Sequence, residues 1–293
     1  MNILKKIFYT LLLILPLSVM SQNEGFPLPD VPVTLKGPEA RANYLALHYW
    51  DRYDFSNLSL IGNKDVSEQG FSNFISIMPY VTKKEVAFAA LASRMVSNSR
   101  MLRYFMGLAT KYLAEPLSPV YNENLYIMFL ESIIAQQGIT GRDLKEAELD
   151  LAMAKKNRIG AKAENFDFLL RGGKRGKLDK VKGEYIILLL GDPDCDICSK
   201  VKNEITTSNL LSGMIDSSRI VVLSVCVEGK TDSWLQTTLP DKWINACDDK
   251  QLIYRKRLYD IPGLPVLYLL DKEHRVLMKN IQVTHLEQYF SSR

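Results

Sequence analysis

The stretch YIILLLGDPDCDIC at residues 185–198 is the strongest indication of the fold of the second half of the chain. Residues 185–190 form an unbroken apolar run, which is typical of a central strand buried on both faces. The run leads into Cys195-Asp196-Ile197-Cys198, and the positions that follow, to about residue 211, carry the apolar spacing of a helix. A cysteine pair between a buried strand and a helix is a specific context for an otherwise common spacing.

The spacing of the two cysteines predicts unequal roles for them. Two intervening residues at a helix start bring both sulfurs onto one turn, and the helix N-terminus stabilises the thiolate of the first. Cys195 is therefore the candidate nucleophile, and the more shielded Cys198 is the thiol that resolves a mixed disulfide. The alternative is half of a zinc site, but Cys226 and Cys247 lack the spacing of a second ligand pair, so we expect no metal.

A second motif, DIPGLP at residues 260–265, leads into an apolar run at residues 266–270. With the cysteine pair and this Gly263-Leu264-Pro265, the chain resembles the thioredoxin fold over about residues 158–293. The number of residues between Cys198 and Pro265 is similar to that in the exported TlpA-like branch of the fold. The resemblance implies that Pro265 is cis and faces the cysteines. It also implies that the backbone of Leu264, beside Gly263, pairs with an incoming peptide. We expect no cofactor, because the redox-active Cys195–Cys198 disulfide carries the chemistry.

Acidic residues around the cysteines depart from the family pattern. Asp192, Asp194 and Asp196 are expected to raise the thiol pKa and so to tune the redox potential, although Asp194 also suits a helix cap. The apolar run at residues 185–190 carries no buried acid. Glu228 is a candidate for proton transfer, as acids near that strand end are in TlpA-like proteins, and a solvated loop residue is the alternative.

The rest of the second half predicts a mixed α/β sheet flanked by helices. Predicted strands are at residues 166–170, 176–178, 219–227, 266–270 and 275–278, and predicted helices at residues 251–258 and 286–291. Cys226 falls at the end of its strand, and Cys247 falls in the following loop. They form either a second disulfide or two independent buried thiols, and we favour the thiols.

The first half predicts an all-α domain over residues 37–157. Helical spacing recurs from Pro38 onwards and at residues 66–78, 83–97, 100–114, 122–136 and 142–156. An aromatic group at residues 49–55 fits a core or a partner-binding surface, and its period favours the core. The motif HYWDRYDF at residues 48–55 resembles the DUF5106 domain of Bacteroidetes proteins, which implies an architecture and no activity.

The N-terminus predicts export. Lys5 and Lys6 precede an apolar run at residues 7–19, so residues 1–21 read as a cleaved signal peptide, with a retained membrane anchor as the alternative. Residues 22–36 form a proline-rich, extended leader. Removing both lysines lowers the formal net charge of +4 by two, which is too weak a charge to indicate nucleic acid as a partner. We expect a location in the periplasm or cell envelope.

These features favour an exported thiol–disulfide oxidoreductase of reductase or isomerase type. Its expected partners are exported proteins with disulfides, an upstream electron donor and a protein that binds the helical domain. Two alternatives stay open. One is a thiol peroxidase, although the cysteine lacks the Thr and Arg support of such enzymes, and the other is an interaction protein without turnover.

Overall fold

The structure is a computed structural model that describes residues 26–293. The expected signal peptide at residues 1–21 and the first part of the leader lie outside the described residues. Residues 26–37 contain neither helix nor strand, as the proline-rich composition predicts. None of the helices in residues 26–293 has the length and apolar character needed to cross a bilayer.

The first half is helical, which confirms that part of the predicted fold class. Its described residues include six α-helices, from α1 to α6: Pro38–His48, Gln69–Ile77, Lys84–Met95, Ser99–Ala109, Glu123–Ile134 and Gly141–Ala154. Asn98 and Asn122 cap α4 and α5 by accepting hydrogen bonds from backbone amides of the first turn.

Aromatic side chains form the centre of the helical core, in agreement with the expectation for residues 49–55. The Trp50 ring meets Phe105 edge-on, with 5.2 Å between ring centroids, and Trp50 is 1% exposed. Phe26 of the leader stacks on Tyr49 at 4.7 Å. The Phe26 ring needs Gly70 on α2, because a Cβ atom there would lie 2.3 Å from the ring. The leader is thus packed onto the helical domain.

The second half is a seven-stranded mixed sheet with helices on its faces, as predicted. The strands β1 to β7 are Asp167–Leu170, Arg175–Lys177, Tyr185–Gly191, Ile220–Cys226, Ile244–Cys247, Val266–Asp271 and Val276–Lys279. Their order is β2-β1-β5-β4-β3-β6-β7. The apolar β3 is central, with parallel pairing to β4 and antiparallel pairing to β6. The helices α7 to α11 are Asp196–Thr207, Asn209–Asp216, Asp232–Gln236, Leu252–Arg255 and Val283–Ser291.

Three expectations for these elements are wrong in detail. The single helix expected from Cys195 to about residue 211 is divided into α7 and α8 at Ser208. Ser208 caps the start of α8, where its hydroxyl accepts a hydrogen bond from the Leu211 amide. The helix expected at residues 251–258 is only the single turn α10. Cys247 ends strand β5 and does not lie in a loop, and the short sequence INAC carries too weak a strand signal to predict this.

The two domains meet close to the loop that precedes β6. The Asn157 side chain donates to the carbonyl of Leu258 at 2.7 Å, and Lys156 donates to the carbonyl of Arg257 at 2.7 Å. Glu123 of α5 also forms a shielded ion pair with Lys279 of β7. The segment that leads towards residues 260–265 is thereby fixed to the helical domain.

Candidate active site

The cysteine pair lies after the end of β3, at the start of α7, and its two sulfurs form a disulfide. Cys195 is the N-cap residue of α7, and its sulfur lies 3.1 Å from the backbone nitrogen of Cys198, which donates to it. An amide that donates to the sulfur at a helix N-terminus stabilises a thiolate once the disulfide is reduced. The local geometry thus favours negative charge on Cys195.

The exposure of the two cysteines differs in the predicted direction. Cys195 is half-buried and Cys198 is 0% exposed. The sulfur of Cys198 lies over Gly191, where a Cβ atom would approach it to 3.4 Å. Cys195 is therefore open to solvent on one side, whereas Cys198 is enclosed by the protein.

The second predicted motif faces the pair. The Leu264–Pro265 peptide bond is cis, and Pro265 lies beside Gly191 and directly precedes β6. The carbonyl oxygen of Leu264 is 3.8 Å from the sulfur of Cys195, and Gly263 is exposed on the same loop. The structure thus brings together residues that lie far apart in the sequence.

The three aspartates have different positions from one another. Asp194 does not cap α7, contrary to the expectation, because the Cys195 sulfur already accepts the amide hydrogen bond at that end. The Asp194 carboxylate accepts a hydrogen bond from the hydroxyl of Ser233 on α9 at 2.8 Å. Asp192 accepts from the amide of Asp194 at 3.0 Å, and Asp196 is exposed in the first turn of α7.

Lys202 is a site residue that the sequence analysis missed. It is one turn beyond Cys198 on α7, and it lines a narrow crevice with Asp192 and Cys226. Burial lowers the pKa of the Lys202 ammonium group, while Cys226 and Asp192 raise it. The sequence offered one indication of this position: Lys202 is four residues after Cys198, and residues at that spacing share a helix face.

Glu228 lies on the exposed loop after β4. Burial is the main cause that raises the pKa of the Tyr254 hydroxyl on α10, and Glu228 beside it raises that pKa further. A role for Glu228 in proton transfer stays a prediction. Among residues 26–293, no group of three or more His, Cys, Asp or Glu side chains is arranged to hold a metal ion.

Cys226 and Cys247 are unbonded buried thiols. Burial is the main cause that raises the pKa of Cys226, and it raises the pKa of Cys247 to about 12. They are cross-strand neighbours in the parallel pairing of β4 and β5. The preference for two thiols over a disulfide matches this structure, but their adjacency was not predicted, because Cys247 was expected in a loop.

A central β3 that leads into a disulfide at a helix start, opposite a cis-proline loop, defines a thioredoxin-like protein. Similarity to solved structures extends this assignment to nearly the whole chain. A thioredoxin-like protein from Bacteroides caccae ATCC 43185 is 32% identical, with a TM-score of 0.73, and the match covers 92% of this chain and 99% of that one. The chain therefore belongs to the thioredoxin-like family. The helical half matches the model of DUF5106, a domain of unknown function, at residues 15–157.

Two further structures match the second half. The C-terminal domain of an uncharacterized protein from Bacteroides fragilis NCTC 9343 is 33% identical, with a TM-score of 0.45 over 46% of this chain and 98% of that one. A domain of a possible thiol-disulfide isomerase from Cytophaga hutchinsonii ATCC 33406 is 25% identical, with a TM-score of 0.40 over 47% of this chain and 94% of that one. A search of curated proteins gives no match.

Proposed function

We propose that this protein is an exported thiol–disulfide oxidoreductase that acts on protein disulfides in the reductase or isomerase direction. The observation that carries the proposal is the placement of the Cys195–Cys198 disulfide at the start of α7, where Cys195 is half-buried and Cys198 is fully buried. A nucleophilic and a resolving thiol need this division, because only the first should meet the substrate.

The reaction begins from the reduced pair. The Cys195 thiolate attacks one sulfur of a substrate disulfide, which forms a mixed disulfide and releases the other substrate sulfur as a thiol after protonation. The Cys198 thiolate then attacks the sulfur of Cys195, which frees the second substrate thiol and restores the Cys195–Cys198 disulfide. The substrate gains two electrons and two protons, so each cycle needs an upstream dithiol donor.

A polypeptide substrate suits the surroundings of Cys195. Ile197, between the two cysteines, is 63% exposed and offers an apolar contact beside the reacting sulfur. The neighbouring backbone at Leu264 and Gly263 offers groups for an extended chain to pair with. These groups favour a polypeptide that is recognised through its backbone and not through a particular side-chain sequence.

Two assays and one trapping experiment test the proposal. The reduced protein should reduce insulin disulfides, and Cys198→Ala should accumulate mixed disulfides through Cys195 that a denaturing, non-reducing gel separates. Cys195→Ala is the matched control, because it keeps a single thiol of the pair but removes the accessible one. Insulin left intact together with an empty trap would reject the proposal, and rapid peroxide consumption by Cys195 would favour the thiol peroxidase.

Export is tested separately. Fractionation of the native host should recover a shortened chain from the cell envelope, with its new N-terminus after residue 21. A full-length chain in the cytoplasmic fraction would contradict this part of the proposal, because a cleaved signal peptide leaves a shortened mature chain.

A further inference from the structure

Three neighbouring strands place residues in one row at their carboxyl ends. Gly191 of β3 is the register partner of Cys226 of β4, and Cys226 is the partner of Cys247 of β5. Leu189 and Val222 pack in one cluster with Ile205 of α7, and strand residues two apart share a face. The side chains of Cys226 and Cys247 therefore point to the α7 side of the sheet.

The sulfur of Cys198 lies against the glycine position in this row. A Cβ atom at Gly191 would lie 3.4 Å from that sulfur, which is an ordinary contact distance, so Cys198 packs directly on this end of β3. Adjacent strands are about 4.8 Å apart. Cys198 thus lies over the strand beside that of Cys226. Cys226 and Cys247 pack in one cluster on adjacent strands, which brings their Cα atoms within the range of about 4.4–6.8 Å that disulfides need.

We infer that Cys226 and Cys247 form a second, internal redox site that passes electrons to the Cys195–Cys198 disulfide. This inference rests on the proposed function, because electrons leave the protein through Cys195. The substrate of the internal site is the disulfide of the same chain, so the exchange needs no further oxidant.

The exchange consists of two balanced steps. Cys226 loses its proton and attacks the sulfur of Cys198, which forms a Cys198–Cys226 disulfide and releases Cys195 as a thiolate that takes up a proton. Cys247 then loses its proton and attacks Cys226, which forms the Cys226–Cys247 disulfide and releases Cys198 to be protonated. Two electrons and two protons have moved from the inner pair to the outer pair.

The surroundings of the two pairs favour this direction. A disulfide becomes easier to reduce when its thiolate is stabilised, and only Cys195 lies at a helix N-terminus with an amide donor. The inner thiols are 4% and 0% exposed, and burial disfavours their thiolates. Asp192, Glu228 and Lys202 are the charged groups near Cys226, and the Lys202 ammonium group favours the thiolate that Cys226 must form when it attacks.

The number of electrons that one chain delivers tests the inference. Fully reduced protein, freed of reductant, is mixed with excess insulin, and new insulin thiols are counted per chain. The wild type should yield four thiols, because both pairs become oxidised, whereas Cys247→Ala should yield two. Peptide mapping of the wild-type sample should then recover the linked peptides of Cys226 and Cys247, which tests the inference even if the variant fails to fold.

A pair of double variants tests directly whether Cys198 is within reach of Cys226. Cys195→Ala with Cys247→Ala leaves Cys198, which packs on the end of β3, and Cys226 on the adjacent β4, and diamide should link them. Cys195→Ala with Cys226→Ala leaves Cys198 and Cys247, two strands apart, and is the matched control. We expect the first pair to link at least tenfold faster.

The outcomes separate this inference from the proposed function. Two insulin thiols from both wild type and Cys247→Ala would overturn the internal site and leave the proposed function standing. No insulin thiols from the wild type would reject both. Equal linking rates in the two double variants would overturn the internal site whatever insulin shows.

Discussion

The four cysteines form two pairs at the same end of one sheet, and they differ in almost every property that controls thiol chemistry. The outer pair, Cys195 and Cys198, starts a helix, is bonded, and includes the half-buried Cys195. The inner pair, Cys226 and Cys247, ends two strands and is buried and unbonded. The difference teaches that reactivity follows from the element that carries the cysteine, because helix N-termini stabilise thiolates and buried strand ends do not.

The largest effect expected is loss of activity when the outer pair is broken. Cys195→Ala should reduce insulin turnover by at least about 100-fold, because Cys195 is the one cysteine of the four that is not buried. Ser199→Ala, an exposed change in the same helix, should retain the wild-type rate. Insulin reduction followed by turbidity measures both, and substantial turnover by Cys195→Ala would break the contrast between the pairs.

The second prediction concerns alkylation of the reduced protein. At pH 8, iodoacetamide should modify Cys195 first and the inner thiols at least about 100-fold more slowly, because the thiolate is the reactive form and burial also blocks access. The rate at Cys247 should keep rising towards its pKa of about 12, since a raised pKa leaves less thiolate at any lower pH. Timed quenching and peptide mass spectrometry give the four rates.

Unfolding in guanidinium provides the control for that experiment. All four cysteines should then react at similar rates, because their environments become alike. Cys226 reacting as fast as Cys195 in the folded protein would show that burial does not protect the inner pair.

The outer pair could be predicted from the sequence and the inner pair could not. The apolar run, the cysteine spacing and DIPGLP are local signals, and they gave the fold class, β3, α7 and the facing loop. Cys247 was placed in a loop because INAC has few strand-forming residues, and β5 is stabilised by its pairing with β4 and β1. The alignment of Cys226 with Cys247, and of both with Gly191, depends on register between distant strands, which no local pattern contains.

The third prediction concerns charge beside the outer pair. Asp196→His should make the Cys195–Cys198 disulfide more oxidising, because it removes a negative charge from the first turn of α7 and so favours the thiolate. We expect about a tenfold shift in the exchange equilibrium, or about 30 mV, from a wild-type potential near thioredoxin's roughly −270 mV. Equilibration with glutathione buffers, followed by alkylation, measures the potential of each protein.

The matched control for charge is Asp65→His, which makes the same substitution at an exposed site in the helical domain. It should leave the potential of the outer pair within error of the wild type. A wild-type potential near the roughly −120 mV of a strong oxidant would contradict both the charge argument and the reductase direction.

The smallest effect expected is on stability. Here the inner pair should matter more than the outer pair, whereas for activity the outer pair matters more. Cys247→Ala should lower the free energy of unfolding by about 1 kcal/mol, because removing a fully buried sulfur leaves a cavity. Cys195→Ala removes only a weak sulfur acceptor from the N-cap of α7, at a half-buried position, and should change that free energy by less than about 0.5 kcal/mol. Both variants are unfolded in urea under reducing conditions, so that no disulfide contributes. A Trp50→Phe background makes fluorescence report the α/β domain, because the two remaining tryptophans lie there. Trp234 packs against Cys226 and Cys247, and Trp243 packs in the core cluster between the sheet and α7.

A larger loss of stability for Cys195→Ala than for Cys247→Ala would show that the outer pair is the structural one, and it would reverse the comparison between the two pairs.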